Sequence, residues 1–401
     1  MVDNRPLPLD GVVVLDLGQI YQGPYAGFLM ANSGARVIKI EPVAGEGMRL
    51  SKADLPYAML NANKESTTID LKQPEGVALF KELVAVADVV LMNYAPGVPE
   101  RLGIGFDDLI AVNPRLVFAH AAGFGVQELD GSVVDSSIPA MDITVQAHSG
   151  AMSTTGYEDT PPLKAGVAYI DFLGGTHLYA AITTALFERE RTGQGRSVEI
   201  AMADAAHFTL ATALGTWQET GATQRNGNRH ANLAIAPYNA YRCADGWVAV
   251  ICVAERHWTA ILSVIDREDL DGDERFRSRG RRAHNLQAVD DLVEAWTSQH
   301  TKADVAAQLQ AAHVPAAAVR DVDEVVRDER QHARKALQWV ERDGEQLPLA
   351  ASPIRWHGSD VLELEPYRAL GADNDAVFRE LAGQSTAQLA ALRSASVIAK
   401  N

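Results

Sequence analysis

The chain has 401 residues, of which 47% are hydrophobic and 22% charged, a length that accommodates two or three domains and the balance of an ordinary globular protein. Its 36 Lys and Arg are outnumbered by 52 Asp and Glu, giving a net charge of −16; nucleic acid, whose phosphates call for excess cations, is excluded as an expected partner. With only two cysteines, Cys243 and Cys252, a disulfide scaffold and a cysteine-based zinc site are excluded too.

The opening residues MVDNRPLPLDG hold no apolar core of a secretory signal, and no run of about 18 apolar residues occurs, so no membrane span and a cytoplasmic location are expected. Residues 11–17, GVVVLDL, read as a buried strand that stops at Gly18. A loop with Gly23-Pro24 leads into a helical stretch, YAGFLMANSG, and 35–41 reads as a second strand ended by Pro42. That is a βαβ unit, the building block of a parallel sheet. Residues 74–84 read as a helix with Pro74 in its first turn. Segments 88–93 and 115–120 read as strands. Leu178, Ile182, Ala185 and Leu186 mark one face of a helix over 174–190, and 197–200 reads as another strand. Composition turns polar over 218–232. A hairpin follows, Tyr238–Arg242 and Trp247–Cys252 around Asp245-Gly246, then helical patterns to about 312. A strand pair near 339–340 and 347–349 precedes an alanine-rich helical end. The expected fold is α/β: a large Rossmann-like parallel-sheet domain over 1–220, a smaller α+β domain over 221–330, and a C-terminal segment, 331–401.

Two places invite chemistry. In the first βα turn, Gly18, Gly23 and Gly27 are spaced five and four apart, which is not GxGxxG; amides at the helix start could still face a phosphate. Glu41 ends the second strand where dinucleotide folds place a ribose-binding acid. A tight turn and a surface glutamate explain the same residues, and a nicotinamide-linked oxidoreductase would rest on these features alone. Asp171, just ahead of the expected helix, reads either as an N-cap or as a carboxylate kept ionised by the helix terminus and able to attack an acyl group. Gly174 and Gly175 leave room beside it, and their backbone N–H groups are candidate oxyanion donors. The histidines, among them His120, His148, His177, His207, His230 and His257, show no metal-binding spacing, and GxSxG is absent.

Several segments together resemble the family III CoA-transferases, the group of formyl-CoA and carnitine CoA-transferases. They are LDLGQIYQGPYAG…GARVIKIEP (15–42), NANKESTTIDLKQPEG (61–76), ADVVLMNYAPGVPERLG (87–103), RLVFAHAAGFG (115–125), MDITVQAHSGAMSTTG (141–156), GVAYIDFLGGTHLYAAITTALFERERTGQGRSVEIAM (166–202), APYNAYRCADGWVAV (236–250) and HVPAAAVRDVDEV (313–325). They run in family order over nearly the whole chain.

The resemblance implies a transfer of coenzyme A from an acyl-CoA to a small carboxylic acid, with Asp171 as nucleophile and no metal. It implies that Ile20, Tyr21, Ile69, Lys72, Asn93, Tyr94 and Arg101 line the coenzyme A, Lys72 and Arg101 suiting its phosphates. It also implies a homodimer of interlocked rings. The chain departs from the formyl-CoA transferase pattern at Tyr21, which replaces a glutamine, and at Pro42, which replaces an arginine; both point away from the formyl/oxalate pair. The related α-methylacyl-CoA racemases use an aspartate at the position of Asp171 together with a histidine. That histidine is Met141 here, although Asp142 is kept and Glu255 matches a supporting acid. Methionine accepts no proton, so the racemase reading ranks below the transferase.

Overall fold

A computed structural model describes residues 5–50, 54–135 and 138–400. The chain forms two units, one of 1–146, 167–206 and 328–401, the other of 147–166 and 207–327.

The first unit is built on six parallel strands, β1 (Val13–Asp16), β2 (Arg36–Glu41), β3 (Glu65–Thr68), β4 (Val89–Met92), β5 (Val117–Ala122) and β6 (Ser197–Ala201). Their order is β3-β2-β1-β4-β5-β6. Successive residues of each inner strand feed opposite faces, as the two-residue period of a strand requires. Leu15, Ile38 and Val90 pack with Phe80 and Phe378 on one side, while Val14, Val37 and Val89 pack with Leu178 and Ile182 on the other. Both faces are covered by helices, so the strands read as unbroken apolar runs. The helices that matter below are α1 (Gln22–Ala31), α2 (Pro74–Val84), α3 (Asp142–His148) and α4 (Tyr169–Thr192). The sheet reverses direction of growth between β1 and β4, and in such sheets the crevice at the carboxyl ends of those two strands is where ligands bind.

The C-terminal segment of this unit adds an antiparallel hairpin, β10 (Leu337–Arg342) with β11 (Glu345–Ala350), whose Val340 and Leu349 pack with Phe28, Leu29 and Tyr57. Val377, Phe378 and Leu389, from helices Asn374–Ala382 and Thr386–Ser394, join the main core.

The second unit holds β7 (Tyr238–Cys243), β8 (Gly246–Ile251) and β9 (Ala316–Ala318), an antiparallel sheet in that order. Its core gathers Tyr241, Val248, Trp258, Ile261, Val289, Val305 and Leu309. Buried Arg282 donates to the carbonyl of Phe276 and to Glu255 Oε2, each at 2.8 Å.

The fold class agrees with the sequence reading, whereas the boundary expected at 220 falls at 206–207. Residues 207–220 and 147–166 belong to the second unit. Tyr157 bridges to Asn226, and the Arg225 guanidinium donates to the carbonyls of Tyr157, Glu158 and Thr160. Such pairing joins segments nearly 70 residues apart and leaves no mark on local composition. No helix among the described residues is long and apolar enough to cross a membrane.

Candidate active site

At the switch point, the loop after β1 is stitched to the end of β4. The Gln19 backbone N–H donates to Asn93 Oδ1 at 2.7 Å, and Asn93 Nδ2 donates to the Gln19 carbonyl at 2.9 Å. The asparagine carboxamide thus extends the β1–β4 pairing past the last strand residue. Ile20 follows with φ of 64°, the left-handed region that a β-branched residue enters only under constraint. The constraint is Glu46, whose Oε2 accepts from the Ile20 N–H at 3.1 Å. Gly18 and Gly23 touch across this loop: a Cβ on Gly18 would lie 2.7 Å from the Gly23 carbonyl carbon. Their spacing therefore serves the tight loop.

Buried ion pairs hold the loop from below. Lys64 Nζ donates to Asp16 Oδ2 at 2.7 Å and to the Pro24 carbonyl at 2.8 Å. Asp16 Oδ1 accepts from the Gly18 N–H at 2.7 Å. Lys39 donates to the Gly18 carbonyl and pairs with Glu46. Glu41 is buried and gripped by Arg49, with Tyr57 donating to the same carboxylate. Glu41 is therefore neither a surface residue nor a free ribose acceptor, which removes the footing of the oxidoreductase reading.

Two cavities share a wall of Gln19, Asn93, Tyr94 and Ala95. One, of about 340 Å³, lies over the ends of β2 and β4 and is lined by Pro42, Ile69, Lys72 and Val98 among others. The other, of about 190 Å³, is lined by Ile20, Tyr21, Gln22, Phe124, Met141 and Asp171 among others.

Asp171 sits in the first turn of α4, whose N-cap is Ala168 and has no side-chain cap. The helix start is capped from elsewhere: Asp142 Oδ2, at the start of α3, accepts from the N–H groups of Ile170 at 2.9 Å and Asp171 at 3.3 Å. Asp171 is thus not the N-cap. Nor is its charge favoured by the helix terminus as the sequence reading held. Burial, reinforced by the neighbouring Asp142 carboxylate, pushes its pKa up to about 7. The Tyr21 and Tyr25 rings pack on Phe172, with centroids 5.7 and 4.8 Å away.

Residues 9–374 match the profile of CoA-transferase family III. The chain belongs to this family. It is 33% identical to an acetyl-CoA:oxalate CoA-transferase of Acetobacter aceti, covering 91% of this chain and 92% of that protein. It is also 33% identical to a succinyl-CoA–D-citramalate CoA-transferase of Chloroflexus aurantiacus, covering 98% of each. Among solved structures, a CaiB/BaiF family protein from Brucella suis superposes with a TM-score of 0.82 at 30% identity, over 94% of this chain and all of the other.

For this member of family III, the site residues expected from sequence divide into three groups. Tyr21 and Ile20 line the smaller cavity with Asp171, Ile69 and Lys72 line the larger, and Asn93 and Tyr94 line both. Arg101 ends a short helix, Val98–Arg101, that lends Val98 to the larger cavity; its own exposed side chain is outside both linings. Gly174 and Gly175 lie in the interior of α4, where amides are spent on the carbonyls one turn back, so they are not spare oxyanion donors. They are gaps in the helix surface. A Cβ on Gly174 would lie 2.6 Å from Gln22 Nε2, and one on Gly175 2.6 Å from the Gln22 carbonyl oxygen.

Gln19, Gln22 and Asp142 were not singled out as site residues. Gln19 is visible only through its bond to Asn93, and Asp142 only through a cap formed across 28 residues. Among the described residues, no group of three or more His, Cys, Asp or Glu is placed to hold a metal ion.

Proposed function

We propose that this protein transfers CoA from an acyl-CoA to a free carboxylic acid through Asp171. The observation that carries the proposal is a carboxyl group walled into a cavity at the switch-point crevice, with no hydrogen bond to its oxygens among the described residues and a pKa pushed up to about 7. A carboxylate that is poorly solvated and uncompensated is a stronger nucleophile than one stabilised by donors. Asp171 attacks the thioester carbonyl; the C–S bond breaks, leaving an aspartyl–acyl anhydride and CoA thiolate. The thiolate attacks the Asp171 carbonyl and the donor acid departs, leaving an aspartyl-CoA thioester. The acceptor carboxylate attacks that thioester, forming a second anhydride and freeing the thiolate again. Attack of the thiolate on the acceptor's acyl carbon then releases the new acyl-CoA and restores Asp171. One thioester is exchanged for another, so the sequence of steps draws on no nucleotide hydrolysis.

The larger cavity, with Lys72 at its exposed rim, suits the nucleotide end of CoA, and the shared wall at Asn93 and Tyr94 leads toward Asp171. Tyr21, Phe124 and Met141 give the smaller cavity apolar faces, which suit a short uncharged acyl group better than the oxalate and citramalate of the named relatives. Met141 lines the cavity where a racemase would need a base. The family resemblance adds a homodimer of interlocked rings, which light scattering tests: a stable monomer would overturn it.

The decisive experiment incubates the wild type and Asp171→Asn with a panel of acyl-CoA donors and carboxylic acids. Wild-type transfer is expected, with a hydroxylamine-trapped modification on the Asp171 peptide. Transfer by Asp171→Asn at the wild-type rate would end the covalent role.

A further inference from the structure

Gln22 opens α1, and the residue is 2% exposed. It lines the cavity of Asp171. Its carboxamide lies against α4 at Gly174, in the space that a Cβ would fill, 2.6 Å from Nε2. Gly174 follows Asp171 by one helical turn on the same buried face. Yet Gln22 Nε2 has no hydrogen-bond partner among the described residues. An unsatisfied buried amide donor is costly, and natural proteins rarely keep one without a use. The loop bonds, the ion pairs and the α1–α4 packing leave this donor idle in the absence of a ligand. The two ends of a carboxamide are similar in size, so turning its last torsion brings N–H toward the cavity with little repacking.

We propose that Gln22 is a catalytic residue whose side-chain N–H donates to the acyl oxygen as Asp171 adds to the carbonyl. The inference rests on the CoA-transfer reading above. As the Asp171 oxygen bonds to the carbonyl carbon, the C=O π pair moves onto oxygen, and the carboxamide N–H stabilises that negative charge without giving up its proton. When the pair returns, the C–S bond breaks and the thiolate leaves. Two features favour this role over a structural one. The donor has no protein partner among the described residues to give up, so a bond to the developing oxyanion is a net gain, as differential stabilisation of a transition state requires. It also belongs to a side chain on α1 that lines the cavity and can turn toward it, whereas the α4 amides at Gly174 and Gly175 are already committed.

The test compares wild type, Gln22→Met and Gln22→Glu. Methionine keeps the length and removes the donor; glutamate keeps the shape and donates only while protonated. Thermal melts and stabilisation by CoA check that each variant folds and binds. The expected result for Gln22→Met is a kcat about 10²- to 10³-fold lower with KM for acyl-CoA little changed. Gln22→Glu is expected to retain activity at low pH and lose it as its carboxyl ionises, adding a descending limb absent from the wild type. Wild-type kcat in Gln22→Met, or a loss confined to KM and CoA stabilisation with an unaltered pH profile in Gln22→Glu, would overturn the proposal while leaving Asp171 in place. Absence of transfer by the wild type across the panel, or full activity in Asp171→Asn, would instead overturn the reading beneath it and this proposal with it.

Discussion

Buried carboxylates meet two different fates on the two sides of the small cavity. Under the β1–α1 loop, Asp16, Glu41 and Glu46 are each 3% exposed or less, and each is answered by a cation, Lys64, Arg49 and Lys39 respectively. At the start of α4, Asp171 is 9% exposed, and the charge nearest to it in effect is another carboxylate, Asp142. The first arrangement pins its acids in place through ion pairs and hydrogen bonds, and so holds the strained Ile20 turn and the Gln19–Asn93 stitch in register. The second leaves its acid without a compensating cation, the condition on which the proposed chemistry at Asp171 rests. If Asp171 is the nucleophile proposed above, a fixed wall facing it serves the transfer, because misplacement by an ångström is expensive in rate.

That contrast can be broken in several places. The largest effect is expected at the poised acid: Asp171→Asn lowers transfer by about 10³-fold or more, since a carboxamide is no substitute for a carboxylate nucleophile; initial rates with the best donor of the panel measure it. On the paired side, Lys64→Met strands the Asp16 charge in a site from which water is excluded, and a loss of about 3–5 kcal/mol is expected in urea unfolding. Adding Asp16→Asn to that variant should recover part of the loss; no recovery would mean that packing, and not the stranded charge, dominates.

The third effect runs in the opposite sense. The folded pKa of Asp171 is raised to about 7, so between about pH 4 and 7 the native state holds a proton that the unfolded chain has released, and stability falls as pH rises through that window. Asp171→Asn removes the slope. The variant is expected to match the wild type near pH 4 and to exceed it by about 2–4 kcal/mol at pH 8, a gain in stability with loss of activity. Equal stability at pH 8 would mean that the carboxyl is not strained there.

The smallest effect is a displacement of the pH–rate curve. The proposed mechanism requires ionised Asp171, so kcat/KM should rise through about pH 7. Asp142→Asn removes the secondary, like-charge contribution and keeps an acceptor for the α4 amides, so the ascending limb should move to lower pH. An unmoved limb would assign the whole perturbation to burial.

Much of this was legible in the sequence. The strand runs at 11–17, 35–41, 88–93 and 115–120 and the helix over 74–84 each depend on neighbours in the chain, through the period of the strand, the width of an apolar face and the proline at a helix start. Asp171, Asn93, Tyr94 and Ile69 were legible through family segments in their proper order. What escaped was decided at a distance. The start of α4 at Tyr169 depends on an acceptor from Asp142, and the placement of 147–166 in the second unit depends on Arg225.

From the sequence by itself came the parallel α/β architecture, the family and the identity of the acid at 171, because these follow from local periodicity and from residue order. Only the tertiary structure decided the state of that acid, the use of the two glycines beside it and the idle amide of Gln22. Each depends on which groups from remote segments surround an atom: solvation and electrostatics act through space, and an unpaired donor is defined by every neighbour it lacks.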